Sequence, residues 1–431
     1  MAKQPEILKN LPGPQNINRF ILPNGITALT FNNSSAQSVN IFGVLENGAR
    51  FDPPDKLGTA NFTAAMLSRG TIARSFAEFH EMLESRGASL SFSSGTHITS
   101  FLGMALAEDI AMLLDLASDG LRRPAFPEDY VERMRQQLLA SLAIREQETA
   151  GTASLLFDEA LFNGHPYGNP VDGFSKTVQA ISRQDLVDFH TRFFQPNDLV
   201  LVIAGAIKSH DVKGLIEEYF ADWQSTPDQR PSLPALPEAP RAILRRHRFI
   251  EDKSQTDLIL GTYGPSRVSE DFLPAYLGNH ILGQFGLMGR IGESVRSRSG
   301  LAYHASSGIS AWADGGSWEF FAGLNPKNLN KAVRLIRDEI ERYTSEPVTP
   351  EELDDSQSNL IGRLPLSLET NGGIANAILT IERYGLGLDY YQHYAEKVRA
   401  ITPQRILETA QKYLHPDRLV VASAGPGKDI P

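Results

Sequence analysis

The chain has 431 residues, of which 41% are hydrophobic and 21% charged, the size and balance of a globular protein with two or more domains. A formal net charge of −10 with no lysine- or arginine-rich tract argues against a nucleic-acid partner. Cysteine is absent, which excludes disulfides, thiolate metal sites and cysteine nucleophiles.

From the start, MAKQPEILKNLPGPQ lacks the apolar core of a secretion signal, and the longest apolar run, Leu199 to Ile207, is far short of the ~20 residues a membrane span needs. The expected compartment is the cytoplasm, or the periplasm if a signal has been removed, with no membrane partner. LPNGITALTF reads as a strand and turn, and QSVNIFGV from Gln37 alternates as a half-buried strand does. GTANFTAAMLSRGT, Gly58 to Thr71, predicts a short amphipathic helix. Phe62, Ala65, Met66 and Arg69 fall at helical spacing, and Gly70 sits where a left-handed stop is cheap. FPEDYVERMRQQLLASL from Phe126 predicts a helix with proline in its first turn and acids after it.

VQAISRQDLVDFHTRFFQPNDLVLVIAGAI, from Val178, aligns without gaps with VRAITPQRILETAQKYLHPDRLVVASAGPG, from Val398. Each copy predicts a capped helix, a proline turn and an apolar strand. QTDLILGT from Gln255 repeats QSVNIFGV, and VTPEELDDSQSNLIGRL from Val348 repeats the Phe126 helix. STPDQRPSLPALPEAPR, Ser225 to Arg241, is a proline-rich extended strap between the copies. The short basic run Arg245-Arg246-His247-Arg248 reads as a solvated strand edge. The fold class is therefore α+β: two duplicated, homologous α/β-sandwich domains at 1–224 and 245–431, joined by a linker at 225–244.

LPNGITALTF, LENGARFDPPDKLGTANFTAAMLSRGT, ALFNGHPYGNPVDG and the Val178 repeat, in this order, resemble the pitrilysin/insulinase-type zinc metallopeptidases. The likeness spans nearly the whole chain. It is nearest to the small-subunit group that includes the mitochondrial processing peptidase, and implies the LuxS/processing-peptidase-like fold. In that family the helix after the glycine carries His-x-x-Glu-His: two histidines bind zinc and the glutamate polarises water. The corresponding residues here are Asn61, Ala64 and Ala65, and the family's third ligand falls near Ser141. Glu146 and Glu148 lie close by but are rotated away along the helix. The resemblance thus implies no cofactor on this chain.

SVRSRSGLAYHASSG, Ser294 to Gly308, is similar to the family's arginine/tyrosine element, with Arg296 and Tyr303 seven positions apart. The resemblance gives Tyr303 the role of an oxyanion donor and Arg296 that of a substrate-binding cation in an active site completed from a partner. Ser297 and Ser299 depart from the family run, which has glutamate and a basic residue there. Read without the family, Tyr303 is a half-buried strand aromatic with its hydroxyl at the rim, and Arg296 a partner of Glu293 or another surface acid. LGQFGLMGRIG from Leu282 resembles the family's flexible turn and lacks the Gly-Lys-Ser/Thr ending of a phosphate cradle. The ten histidines form no metal-binding spacing, and no Gly-x-Ser-x-Gly elbow is present.

The expected function is a non-catalytic, activity-enabling subunit of a heterodimeric zinc peptidase. The expected partners are a homologous zinc-binding subunit, which holds the zinc, and peptide substrates. The alternative is a structural assembly protein of the same fold.

Overall fold

The computed structural model describes residues 11–226, 230–286 and 289–426. The readings of the first ten residues, of 227–229 in the strap and of Leu287 and Met288 in the glycine-spaced turn lie outside these. The first half of the sequence forms β1 (Ile17–Ile21), β2 (Thr27–Asn32), β3 (Ser38–Leu45), α1 (Thr59–Met66), α2 (Phe76–Glu84), β4 (Ser89–Ser94), β5 (Thr99–Leu106), α3 (Ile110–Arg122), α4 (Glu128–Arg145), α5 (Thr149–Leu161), α6 (Ser175–Ala180), α7 (Arg183–Phe193), β6 (Val200–Gly205) and α8 (Ser209–Phe220). The second half forms β7 (Leu244–Phe249), β8 (Thr256–Tyr263), α9 (Phe272–Gly283), α10 (Gly289–Gly292), a π-helical turn at Glu293–Arg298, β9 (Ala302–Ala311), β10 (Gly316–Leu324), α11 (Leu329–Ser345), α12 (Pro350–Ser367), α13 (Asn371–Arg383), α14 (Tyr394–Arg399), α15 (Pro403–Tyr413) and β11 (Val420–Gly425).

The duplication is visible element by element. The pairs α4 and α12 have 18 residues each, α5 and α13 have 13, α7 and α15 have 11, and β6 and β11 have six. A six-stranded sheet runs β1-β2-β6-β3-β5-β4, and a five-stranded one runs β7-β11-β8-β10-β9. In both, the last strand of the half pairs parallel to the first repeated strand and antiparallel to the second. Each of these last strands ends on a glycine in the left-handed half of φ, Gly205 at 151° and Gly425 at 153°. A Cβ there would sit 2.3 Å from the Ser38 carbonyl oxygen, or 2.4 Å from Thr256 Oγ1, so only glycine lets the neighbouring strand approach. The basic run of residues 245–248 lies in β7, a sheet edge, where charge discourages further strand pairing.

The copies also share their helix caps. The Ser182 hydroxyl accepts the Asp185 N–H, and the Thr402 hydroxyl accepts the Arg405 N–H. Replacing either cap by alanine is expected to cost about 1 kcal/mol, read as a shift of the urea midpoint at constant m.

The compact units are not the contiguous halves. The first comprises Met1–Leu142, Pro170–Leu233 and Pro365–Gln392; the second comprises Ala143–Asn169, Pro234–Leu364 and His393–Pro431. The spans 1–224 and 245–431 are corrected accordingly: the halves exchange one helix each. In the first unit α13 packs on β3 and β6, while α3 and α8 help build the core on the opposite face. Asn371 at its start donates to the Ser38 carbonyl at 3.1 Å and accepts from Asn33 at 2.8 Å. Near its end, Glu382 accepts both Nε and Nη2 of Arg19, and Arg383 donates to Glu46 at 3.0 Å. In the second unit α5 lies over β8 and β11, burying Ala153, Phe157 and Leu161 against Ile259, Val420, Ala422 and Ala424. The other face of that sheet carries Leu258, Leu260, Trp318 and Phe320 into a core with α9, α11 and α15. A sheet with two apolar faces needs cover on both. Here the second cover comes from the other copy.

Candidate functional site

Helix α1 begins at Gly58, whose φ of 101° lets the chain turn into the helix. The Asp52 carboxylate accepts the Gly58 and Ala60 N–H groups at 2.7 and 2.8 Å, so a side chain from outside the helix satisfies its first donors. Phe62 and Met66 are buried with Val131, Met134 and Leu142 of α4, and Ala65, Leu138 and Leu139 pack at the border of the same cluster. Of the family's ligand positions, Asn61 is half-buried on α1, Ala64 is buried, Ala65 is partly covered and Ser141 is exposed on α4. One amide, two methyl groups and a hydroxyl do not fit zinc, which takes imidazole and carboxylate donors. Among the described residues no group of three or more His, Asp or Glu stands close enough to hold a metal ion.

The second unit holds the other element. Arg296 lies in the π-helical turn, which stops at Gly300. The φ of Gly300 is 62°, and the Gly300 and Leu301 N–H groups bond back to the Arg296 and Val295 carbonyls at 2.9 and 3.1 Å. The chain then enters β9 directly. Its ladder with β10 pairs Gly323 with His304 and Leu324 with Ala302, leaving Tyr303 as the extra residue of a β-bulge. Ala302 and Ala305 both face the helix-side core, so simple alternation is broken between them. The bulge turns Tyr303 out of the ladder, and its side chain is 68% exposed. His304 instead lies against Gly323 on the sheet face that α5 covers. Arg296 is exposed as well. Glu293 pairs with Arg298 at 2.8 Å and not with Arg296, whose guanidinium has no ion-pair partner among the described residues.

Three of the histidines sit in packed or hydrogen-bonded surroundings. His165 Nδ1 accepts the Tyr167 N–H, and its Nε2 lies 3.2 Å from the Pro234 carbonyl. His190 is packed on Phe126 and Phe194, and burial pushes its pKa down to about 4. His80 lies against Phe76 and Phe79, with ring centroids 4.2 and 5.7 Å away and the rings tilted.

Residues 27–173 match the family model described as insulinase, peptidase family M16, and residues 180–360 match the peptidase M16 inactive domain. The chain belongs to the insulinase-type peptidase family. An uncharacterized zinc protease of Streptomyces coelicolor is 25% identical, the match covering 100% of this chain and 94% of that protein. An uncharacterized zinc protease of Mycobacterium bovis is 26% identical over 92% of this chain and 90% of its own. The same fold occurs in a peptidase M16 inactive domain from Pseudomonas fluorescens, with a TM-score of 0.89 and 24% identity over 96% of this chain and 99% of that one. A protease from Helicobacter pylori superposes with a TM-score of 0.88 at 19% identity, over 96% of this chain and all of the other. Within this insulinase-type chain the arginine and tyrosine are present, and the inverted zinc motif is not.

Sequence reasoning passed over Asp338, Glu351 and Asp355, which line a cavity of about 690 Å³ in the second unit. Glu351 and Asp355 are four apart on α12, a spacing visible in the sequence, but acids spaced along a helix are ordinarily just a solvated face.

Proposed function

We propose that this chain is the non-catalytic, activity-enabling subunit of a heterodimeric zinc peptidase, with a homologous partner that holds the metal and the attacking water. Its contribution is Tyr303, a neutral phenol that donates a hydrogen bond to the peptide carbonyl oxygen as charge develops there. Arg296 binds a substrate carbonyl or carboxylate beside it. The observation that carries this reading is the bulge at Tyr303: an aromatic side chain lifted out of its ladder and left exposed, seven residues after an exposed arginine with no ion-pair partner among the described residues, in a chain whose α1 carries no imidazole or carboxylate. The relatives' printed names as zinc proteases support the peptide-bond chemistry.

A structural assembly protein of the same fold is the second reading. The exposed row Leu102, Met104 and Leu106 on β5 favours it, because an apolar strand face of that kind suits a protein interface.

Co-purification with metal analysis separates the two. A homologue carrying His-x-x-Glu-His is expected to co-purify with this chain at one zinc per pair, with none on this chain alone. Cleavage of a quenched peptide is expected to need both chains and to stop with a chelator. Hydrolysis restored by no such homologue would leave the assembly reading standing.

A further inference from the structure

The cavity of about 690 Å³ lies in the second unit, walled mainly by α11 and α12 and bordered by Glu293, Ser294 and Arg298 of the π-helical turn that precedes the Tyr303 bulge. One wall is α11, which presents Leu335, Asp338, Glu339 and Arg342; the other is α12, which presents Glu351, Glu352, Asp355 and Ser356. Both sets recur at the three- and four-residue spacing that places side chains on one helix face. Phe285, Ile281 and the π-helical turn close the end.

The charges in this cavity do not cancel. Arg290 places Nε and Nη2 on the two carboxylate oxygens of Glu352, both at 2.7 Å. Arg342 donates to both oxygens of Glu339 at 2.7 and 2.9 Å, and Arg298 to Glu293 at 2.8 Å. Every arginine on the lining is thereby engaged by its own glutamate. Asp338, Glu351 and Asp355 remain, with no ion-pair or hydrogen-bond partner among the described residues. A separate feature borders the same space: Ser356 is 1% exposed, lines the cavity, and its buried Oγ has no hydrogen-bond partner among the described residues. A buried hydroxyl left unpaired costs free energy that a ligand donor restores.

We infer that this cavity is a binding site for an extended organic cation, an alkylammonium or guanidinium chain. Its charged ends would meet Asp338, Glu351 and Asp355, and one of its donors would reach Ser356 Oγ. The three carboxylates are spread over two helices, and no described group of acids is close enough to form a metal shell, so separated charges on one chain suit the site better than a single ion. Ile281, Phe285 and Leu335 give the methylene stem an apolar wall, and the volume is in the range of small-molecule sites. The same chemistry is offered by a lysine or arginine side chain of a peptide and by a free polyamine.

Calorimetric titration of the full-length chain, without any partner, tests the site independently of the role of Tyr303. The probes are spermidine, N-acetyl-arginine amide and its neutral isostere N-acetyl-citrulline amide. At least one cationic probe is expected to bind at least about tenfold tighter than the citrulline compound, with affinity falling as salt rises. Stronger binding of the arginine compound identifies a peptide side chain as the source, and stronger binding of spermidine a polyamine. Glu351→Gln combined with Asp355→Asn is expected to weaken the preferred probe about tenfold or more, and Ser356→Ala several-fold. Asp338→Asn, an exposed single change, serves if the double variant does not fold. Equal binding of the citrulline compound, or undiminished binding to the neutralised variants, overturns the site.

Discussion

Tyr303→Phe is expected to lower kcat of the reconstituted two-chain peptidase on the order of 10²-fold, with KM little changed. The phenol acts only when the carbonyl oxygen becomes an oxyanion, so its loss is felt in the transition state and hardly in the Michaelis complex. The loss corresponds to about 3 kcal/mol, the usual size for removing one such donor. The side chain is 68% exposed at a bulge, so the thermal midpoint of the isolated chain should not move. That separates a missing hydroxyl from a damaged fold. Unchanged turnover in Tyr303→Phe would remove the phenol from the mechanism while leaving the pairing of chains intact.

A second large effect is expected from Asp158, on the helix that the first half lends to the second unit. Burial pushes its carboxyl up to about 8, helped by the charge of Glu319 on β10. Glu319 is itself raised, chiefly by burial, against hydrogen bonds from Ser317 and Ser310. Both acids are buried and the charge of Glu319 acts on Asp158, so the folded state favours holding a proton there. A folded pKa above the unfolded value contributes stability that is complete below about 4 and is lost as pH rises through about 8. Wild-type stability should therefore lose on the order of 3 kcal/mol between pH 5 and pH 8 from this pair, since each pKa unit is worth about 1.4 kcal/mol. Asp158→Asn should remove most of that slope, leaving the part due to Glu319, so that its advantage over the wild type grows from pH 5 to pH 8. Urea denaturation at the two pH values reads the difference. A variant that keeps the wild-type slope would mean that the carboxyl stays ionised in the folded protein.

The duplication was legible because it is written in local signals. Pro196 and Pro416, the caps Ser182 and Thr402, and Gly205 and Gly425 each act on the backbone within a few residues, so matched letters gave matched elements. The same locality made the absent donors at Asn61, Ala64 and Ala65 readable. A methyl group offers no lone pair in any environment.

The exchange of α5 and α13 was not readable in this way. Phe157 and Leu161 on one helix, and Ile378 and Ile381 on the other, mark each helix as one to be buried without saying against which of two similar sheets. Nor did the spacing of SGLAYHASSG reveal that Tyr303 is an extra residue, because a bulge exists only relative to the register of a neighbouring strand.

By itself, then, the sequence determined the α+β repeat, its capped helices and the loss of metal ligands, all of which depend on side-chain chemistry and short-range backbone preference. Only the tertiary structure decided which helix covers which sheet, how far Tyr303 stands out from β9, and that Asp338, Glu351, Asp355 and Ser356 share one cavity. These depend on contacts between residues far apart in the chain, where many pairings satisfy the same hydrophobic pattern and packing selects one.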